Sequence, residues 1–292
     1  MNEAKKETEL KPVRAVGARQ PRDPGRRRVL RALALGTAAV ALSSARVPAY
    51  ANARGGAWWQ RMDAAREHLN GATPREGGIQ LDLPGVTQDG SAVPLTVEVE
   101  SPMDPDDYVE ALYLYAAGNP TPEIADIYFT PLAGRARFST RVRLNRTQAV
   151  HALARTSGGE WLAASREVRV TVSGCLSQDG TYDFDSLMRT RVRASERLGA
   201  GEIGDIRTLV DHPMETGLRE DRDGRTIPER IIHSFQAEFN GEPVLDIRLY
   251  RAVSANPYLR FPIAPSESGD AVFRWEDDEG ETATESARIE VG

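Results

Sequence analysis

The sequence predicts an all-β protein, two β-sandwich domains in tandem with a short helix ahead of the first. Three observations carry this. Apolar and polar residues alternate with a period of two in a succession of short runs from Gly78 to Val291, as strands with one buried face require. Turn-forming residues separate the runs, among them Asn240-Gly241 and Asp278-Glu279-Gly280. One stretch, Ser173 to Asp185, has no periodicity and divides two halves of similar style.

In chain order, Ala57 to Leu69 places Trp58, Met62, Ala65 and Leu69 at helical spacing, with Asn70-Gly71 as a stop. The two tryptophans suit a helix packed on a sheet. Val93, Leu95, Val97 and Val99 then alternate with polar residues until Ser101-Pro102 breaks the run. Tyr108 to Ala116 is apolar on both faces, as in a central strand. Ile124 to Thr130 follows. Ala136 to Leu144 sets Phe138, Thr140, Val142 and Leu144 against Arg137, Ser139, Arg141 and Arg143, which predicts a strand with a basic outer face. Gln148 to Arg155, Trp161 to Arg166, and Val168, Val170 and Val172 complete about seven strands, the style of a sandwich. In the second half Arg189 to Ala194, Ile203 to Val210, Ile231 to Phe239, Val244 to Tyr250, Ala271 to Trp275 and Thr284 to Val291 read as strands.

With 292 residues, 40% hydrophobic and 27% charged, the chain has room for two ordinary cores. Residues 1–53 read as an export signal. Arg26-Arg27-Arg28-Val29-Leu30-Arg31 matches the twin-arginine pattern, with Arg26 and Arg27 as its signal pair, and Ala49-Tyr50-Ala51-Asn52-Ala53 offers cleavage after Ala51 or Ala53. The apolar run Ala32 to Leu42 is short for a bilayer span, so the expectation is a periplasmic protein without stable membrane insertion. The leader holds 11 of the 37 basic and 4 of the 43 acidic residues, which leaves 26 against 39 and a net charge of −13. That balance argues against nucleic acid as a partner.

The only cysteine, Cys175, lies in the aperiodic stretch between Ser173-Gly174 and Leu176-Ser177. It cannot close an intramolecular disulfide, so it is buried, paired with another chain or chemically used. Its small and polar neighbours favour exposure. No Lys, Arg or His lies within four positions, so at a reference pKa of about 8.5 only a few per cent is thiolate at neutral pH. Such a thiol suits a carrier activated by partners better than a self-sufficient nucleophile. Nothing in the spacing of His68, His151, His212 and His233 places a base beside it, and no catalytic residue is assigned. His212-Pro213-Met214 is weak as a copper site and reads as a structured loop. Glu276 to Glu281 lacks the calcium-loop spacing and falls at a hairpin turn, and Asp104 to Asp107 reads as turn chemistry. No metal or cofactor is expected. Arg135, Arg137, Arg141, Arg143 and Arg146 concentrate positive charge, either as a solvated strand face or as a docking surface.

Several motifs resemble a known family. Gly78-Ile79-Gln80-Leu81-Asp82-Leu83-Pro84, Ser101-Pro102-Met103, Gly118-Asn119-Pro120 with Pro122-Glu123, Phe129-Thr130-Pro131, Ser139 to Leu144, and a strand running into Gly174-Cys175 are similar to the SoxY subunit of the periplasmic sulfur-oxidation carrier. Arg207 to Val210, His212 to Gly217, Ala255 to Leu259 and Trp275 to Gly280 are similar to its SoxZ partner. The resemblance implies two immunoglobulin-like sandwiches, the first ending in a mobile arm whose cysteine holds thiosulfate-derived sulfur while separate enzymes load, oxidise and release it. Cys175 stands where that cysteine belongs, with Ser173 and Gly174 supplying flexibility. Both subunits in one chain resemble the SoxYZ-like carriers associated with quinoprotein dehydrogenases, and Ser173, Leu176 and Ser177 depart from the family's Gly-Gly-Cys-Gly-Gly arm.

The expected boundaries are the signal at 1–53, a SoxY-like sandwich with its arm at 54–176, a linker at 177–186 and a SoxZ-like sandwich at 187–292. The expected function is a non-enzymatic carrier of thiosulfate-derived or sulfane sulfur on Cys175. Its partners are inorganic sulfur species with sulfur-oxidation enzymes or a quinoprotein dehydrogenase system. The alternative is an accessory binding module for such a dehydrogenase, without covalent sulfur chemistry.

Overall fold

The computed structural model describes residues 57–172, 182 and 184–292. In the first half the alternating runs become β1 (Arg75–Glu76), β2 (Ile79–Asp82), β3 (Val86–Thr87), β4 (Val93–Val99), β5 (Val109–Ala116), β6 (Glu123–Phe129), β7 (Ala136–Val142), β8 (Gln148–Thr156) and β9 (Trp161–Val170). In the second they become β10 (Thr190–Ala194), β11 (Arg197–Leu198), β12 (Gly204–Val210), β13 (Ile232–Phe239), β14 (Glu242–Leu249), β15 (Tyr258–Ile263), β16 (Gly269–Asp277) and β17 (Thr282–Val291). The fold is all-β and immunoglobulin-like, with a short helix ahead of the first sandwich.

Each half contributes to two sheets, and the sheets continue from one half into the other. The larger follows the order β1-β9-β8-β5-β6-β14-β13-β16-β17-β11, with β3 also on β9. The smaller follows β10-β12-β15-β7-β4-β2. The halves therefore meet twice. β6 and β14 pair antiparallel from Phe129↔Leu245 to Ala125↔Leu249, whereas β7 and β15 pair only at Ser139↔Arg260. Between the sheets one hydrophobic cluster runs through both halves, from Leu95, Ile127 and Phe138 to Phe235, Phe261, Phe273 and Trp275. Side chains of this size contribute roughly 1.5–3 kcal/mol each when fully buried.

The front segment is not one helix. Trp58–Arg61 forms a 3-10 turn, Met62 is extended (φ −114°, ψ 115°), and α1 covers Asp63–Leu69. Trp58 and Trp59 both fall in the 3-10 turn and are both buried, and the extended Met62 sets α1 off from that turn as a separate element. Trp58 stacks on His151 (4.2 Å, 10°) and meets Trp59 edge-on (5.6 Å), and both join Leu69, Tyr113, Tyr115 and Leu153 in a second buried cluster on the outer face of the large sheet. Asn70, in the left-handed region (φ 44°), closes α1 with its N–H on Arg66 O.

Two further differences have simple causes. Trp161 to Val170 is one strand, and the alternation is interrupted in the middle by three consecutive exposed residues, Ser165, Arg166 and Glu167. β15 was hidden by Pro262. The strand accepts a proline because its pairing with β7 is confined to Arg260, so no ladder there needs the missing N–H.

Candidate functional site

Cys175, Ser173 and Gly174 lie outside the described residues, as do Arg26 and Arg27. The chain on either side of the cysteine segment is described, and both sides lie at the same end of the sandwich. After β9, Thr171 N–H and Oγ1–H donate to Thr87 O (3.1 and 3.2 Å), and Val172 O accepts from Gly90 N (3.0 Å). Val172 is 55% exposed. On the far side, Met188 N–H donates to Asp211 O and Asp211 N–H to Arg189 O, both at 2.9 Å, which fastens the chain before β10.

Hydrogen bonds from the first anchorage cross the seam and reach Pro213, two residues along the chain from Asp211 of the second. Gly90 O accepts from Leu144 N (2.7 Å). Beside Leu144, the Arg143 guanidinium is 5% exposed and donates to four main-chain oxygens of the second half, those of Pro213 (3.2 Å), Met214 (2.7 Å), Arg251 (3.2 Å) and Val253 (3.1 Å). The strand from Ala136 to Leu144 thus does not keep a uniformly basic outer face. Arg143 lies past the end of β7 and turns inward as a rivet between the halves. Asn119 holds it there, donating from Nδ2 to Arg143 O (2.8 Å) and accepting from Asn145 N (3.1 Å). Of the other arginines, Arg137 meets Glu98 (3.7 Å) and Arg141 lies over the Tyr258 ring (5.5 Å).

His212 and Met214 are buried and engaged internally, in a structured loop. His212 Nδ1 accepts the Met214 N–H (3.1 Å), so the ring proton sits on Nε2, facing Asp277 Oδ2 at 3.6 Å. Met214 Sδ lies 3.2 Å from the Ile232 N–H. Burial drives the His212 pKa down to about 4, with Arg230 pushing the same way and Asp277 pulling back. His151, buried under Trp58 with Nδ1 2.6 Å from Ser165 Oγ, is also held near 4 by burial first and Arg61 second. Asn256, at φ 51°, locks His212 from outside by donating its N–H to His212 O (2.8 Å) and accepting the His212 N–H on Oδ1 (3.0 Å).

The acidic run 276–281 is turn chemistry. Asp277 Oδ1 accepts the N–H groups of Glu279 (3.0 Å) and Glu281 (2.8 Å), while Oδ2 takes Arg230 Nε (3.1 Å). Asp104 and Asp107 likewise exchange main-chain hydrogen bonds. Among the described residues no group of three or more His, Cys, Asp or Glu is placed to hold a metal.

Four of the motifs that carried the sequence resemblance, Gly118-Asn119, Ser139 to Leu144, His212 to Gly217 and Ala255 to Leu259, thus converge on one end of the seam. The family model described as sulfur oxidation protein SoxY matches residues 66–175, and that of the sulphur oxidation protein SoxZ matches 192–288. The chain is a SoxY domain joined to a SoxZ domain. Arg143 and Asn119 belong to the SoxY domain, and the oxygens that Arg143 grips belong to SoxZ. Among solved structures, the sulfur carrier protein SoxY from Chlorobium limicola f thiosulfatophilum is 25% identical, over 38% of this chain and 94% of that one, with a TM-score of 0.33. A superoxide reductase (neelaredoxin) from Ignicoccus hospitalis is 17% identical over 32% and 80%, with a TM-score of 0.29. No curated protein matches.

Sequence reasoning did not find Arg143 as a seam residue, nor the His212–Asp277–Arg230 group. The signal available for Arg143 was its position directly after Val142, where the alternation of β7 ends and the outward side no longer faces solvent.

Proposed function

We propose that this SoxYZ protein is a sulfur carrier in which Cys175 holds thiosulfate-derived or sulfane sulfur covalently and presents it to partner enzymes. One observation carries the reading: the SoxY match runs to residue 175, so the sole cysteine of the chain is the last residue of the matched domain. The common placement of Val172 and Met188 at one end of the sandwich supports a cysteine segment tethered at both sides there. Joining the Cys175 sulfur to thiosulfate through a sulfur–sulfur bond releases one proton and two electrons, which a partner oxidoreductase must accept. Transfer of sulfane sulfur from a polysulfide needs no external oxidant, because the polysulfide is shortened as the persulfide forms.

The same reading places the protein in the periplasm, exported on Arg26 and Arg27, with sulfur-oxidation enzymes or a quinoprotein dehydrogenase system as partners. Among the described residues no helix is long and apolar enough to cross a membrane. Intact-protein mass spectrometry after exposure to thiosulfate with an electron acceptor, or to polysulfide, tests the assignment. A reducible increment of one or more sulfur atoms on the native chain, lost in Cys175→Ser, is expected. An increment that persists in Cys175→Ser refutes the attachment site.

A further inference from the structure

Cross-strand register puts an arginine row on the outer face of the smaller sheet. Arg193 on β10 pairs with Arg207 on β12, Arg207 with Arg260 on β15, and Arg260 with Ser139 on β7. The alternate residues Ile206, Thr208 and Phe261 face the core, so these side chains project together toward solvent. Two residues along, Arg191 flanks Arg193, and Arg137 and Arg141 flank Ser139 on the same face. Like charges directly opposite one another in a sheet are destabilising. Relief is partial. Asp205 takes both Arg207 and Arg260 at 2.7 Å, Asp211 takes Arg191 at 3.1 Å, and Arg193 has no carboxylate partner among the described residues.

We propose that this face, from β7 across the seam to β10, docks an acidic patch on another protein. The occupant follows from charge. The chain as a whole is acidic, with a formal net charge of −6, so an extended polyanion such as duplex DNA or an anionic membrane would meet repulsion beyond the basic sector, whereas a compact acidic patch meets only a sector in which arginines outnumber the carboxylates Asp205, Asp211 and Glu98. The face also offers a socket. Where pairing between β7 and β15 lapses, a groove of about 190 Å³ is lined by Arg135, Arg137, Ser139, Asp205 and Arg260, large enough for a carboxylate side chain. Ser139 Oγ accepts from Thr96 Oγ1 and keeps its own hydrogen to donate. Since Arg260↔Ser139 is a seam pair, the surface exists only when the SoxY and SoxZ domains are joined, and it reports the assembled protein to its partner. The inference does not depend on the chemistry of Cys175.

The test is fluorescence anisotropy of the full chain with a labelled oligoglutamate peptide as probe. Binding is expected to weaken with salt, to fall about tenfold in the Arg141→Gln/Arg193→Gln double variant, and to be unchanged in Arg288→Gln, whose partner is Asp270 in the other sheet. Arg193→Gln alone is expected to leave the melting temperature unchanged or raised, because it relieves repulsion from Arg207. Unaltered affinity in the double variant, a lowered melting temperature in Arg193→Gln, or tighter binding of duplex DNA or phosphatidylglycerol vesicles than of the peptide would each overturn the proposal.

Discussion

Arg143 of the SoxY domain donates from Nη1 to the main-chain oxygen of Met214 in the SoxZ domain at 2.7 Å, within a set of four SoxZ carbonyl groups that one guanidinium satisfies. Nη1 shares its two hydrogens among the oxygens of Met214, Arg251 and Val253 while Nη2 reaches that of Pro213, and an ammonium has no second nitrogen for the latter. Arg143→Met strands buried carbonyl groups and is expected to cost about 3–5 kcal/mol, read as a lower urea midpoint. Arg143→Lys should recover only part of the loss. A change under about 1 kcal/mol in the Met variant would show that water replaces the guanidinium.

The two domains also touch through a glycine. Gly134 adopts φ 68°, and a Cβ there would lie 2.5 Å from Ala264 Cβ, beside the short pairing of β7 with β15. Gly134→Ala therefore combines backbone strain with a clash and should destabilise by about 2–4 kcal/mol. Adding Ala264→Gly removes the clash and leaves the strain, so thermal melts of the single and double variants separate the two costs. Equal losses in both would mean that the contact is immaterial.

Acid should weaken the protein through two histidines. His151 and His212 have folded pKa values near 4, against 6.5 in an unfolded chain, and burial is the principal cause in each. As the pH falls below about 6.5 the unfolded chain takes up these protons first, so stability is full above that value, declines toward pH 4 and then levels. Each ring contributes up to about 3 kcal/mol. Urea titrations of the native chain and of His212→Gln, followed from neutral pH to 4.5, should show a shallower decline in the variant. Parallel curves would exclude His212 from the acid response.

The front segment covers the large sheet mainly through aromatic contact. Trp58 is wedged among Trp59, Tyr115 and His151, so Trp58→Ala is expected to cost about 3 kcal/mol. It should also raise the His151 pKa toward 6.5, since the burial that depresses it is lost. Nuclear magnetic resonance titration of the imidazole would follow that rise, and an unmoved pKa would show that the segment stays seated without its indole.

Strands were legible wherever one face meets water, because alternation then records burial directly. Val93 to Val99 and Gly204 to Val210 are examples. The reading weakened where tertiary packing overrode local pattern. Pro262 concealed β15, adjacent tryptophans concealed the break at Met62, and Arg143 carried the same letter as Arg137 and Arg141 while doing a different task. The seam was not legible at all, since nothing in Phe129 or Leu245 announces the other. Of the candidate residues, Cys175 stood out because it is alone, and the composition of its neighbours carried the rest.

The pairing of β6 with β14 also sets a schedule for biosynthesis. Phe129 must wait for Leu245 before the large sheet closes, which at ordinary elongation rates is roughly ten seconds of further synthesis. During that interval the SoxY half holds an unpaired strand edge rich in apolar residues, the kind of surface on which nascent chains stick to one another. Carrying both domains on one chain bounds this exposure: the complementary edge arrives by translation, at a fixed delay, instead of by a search through the cell for a separate subunit.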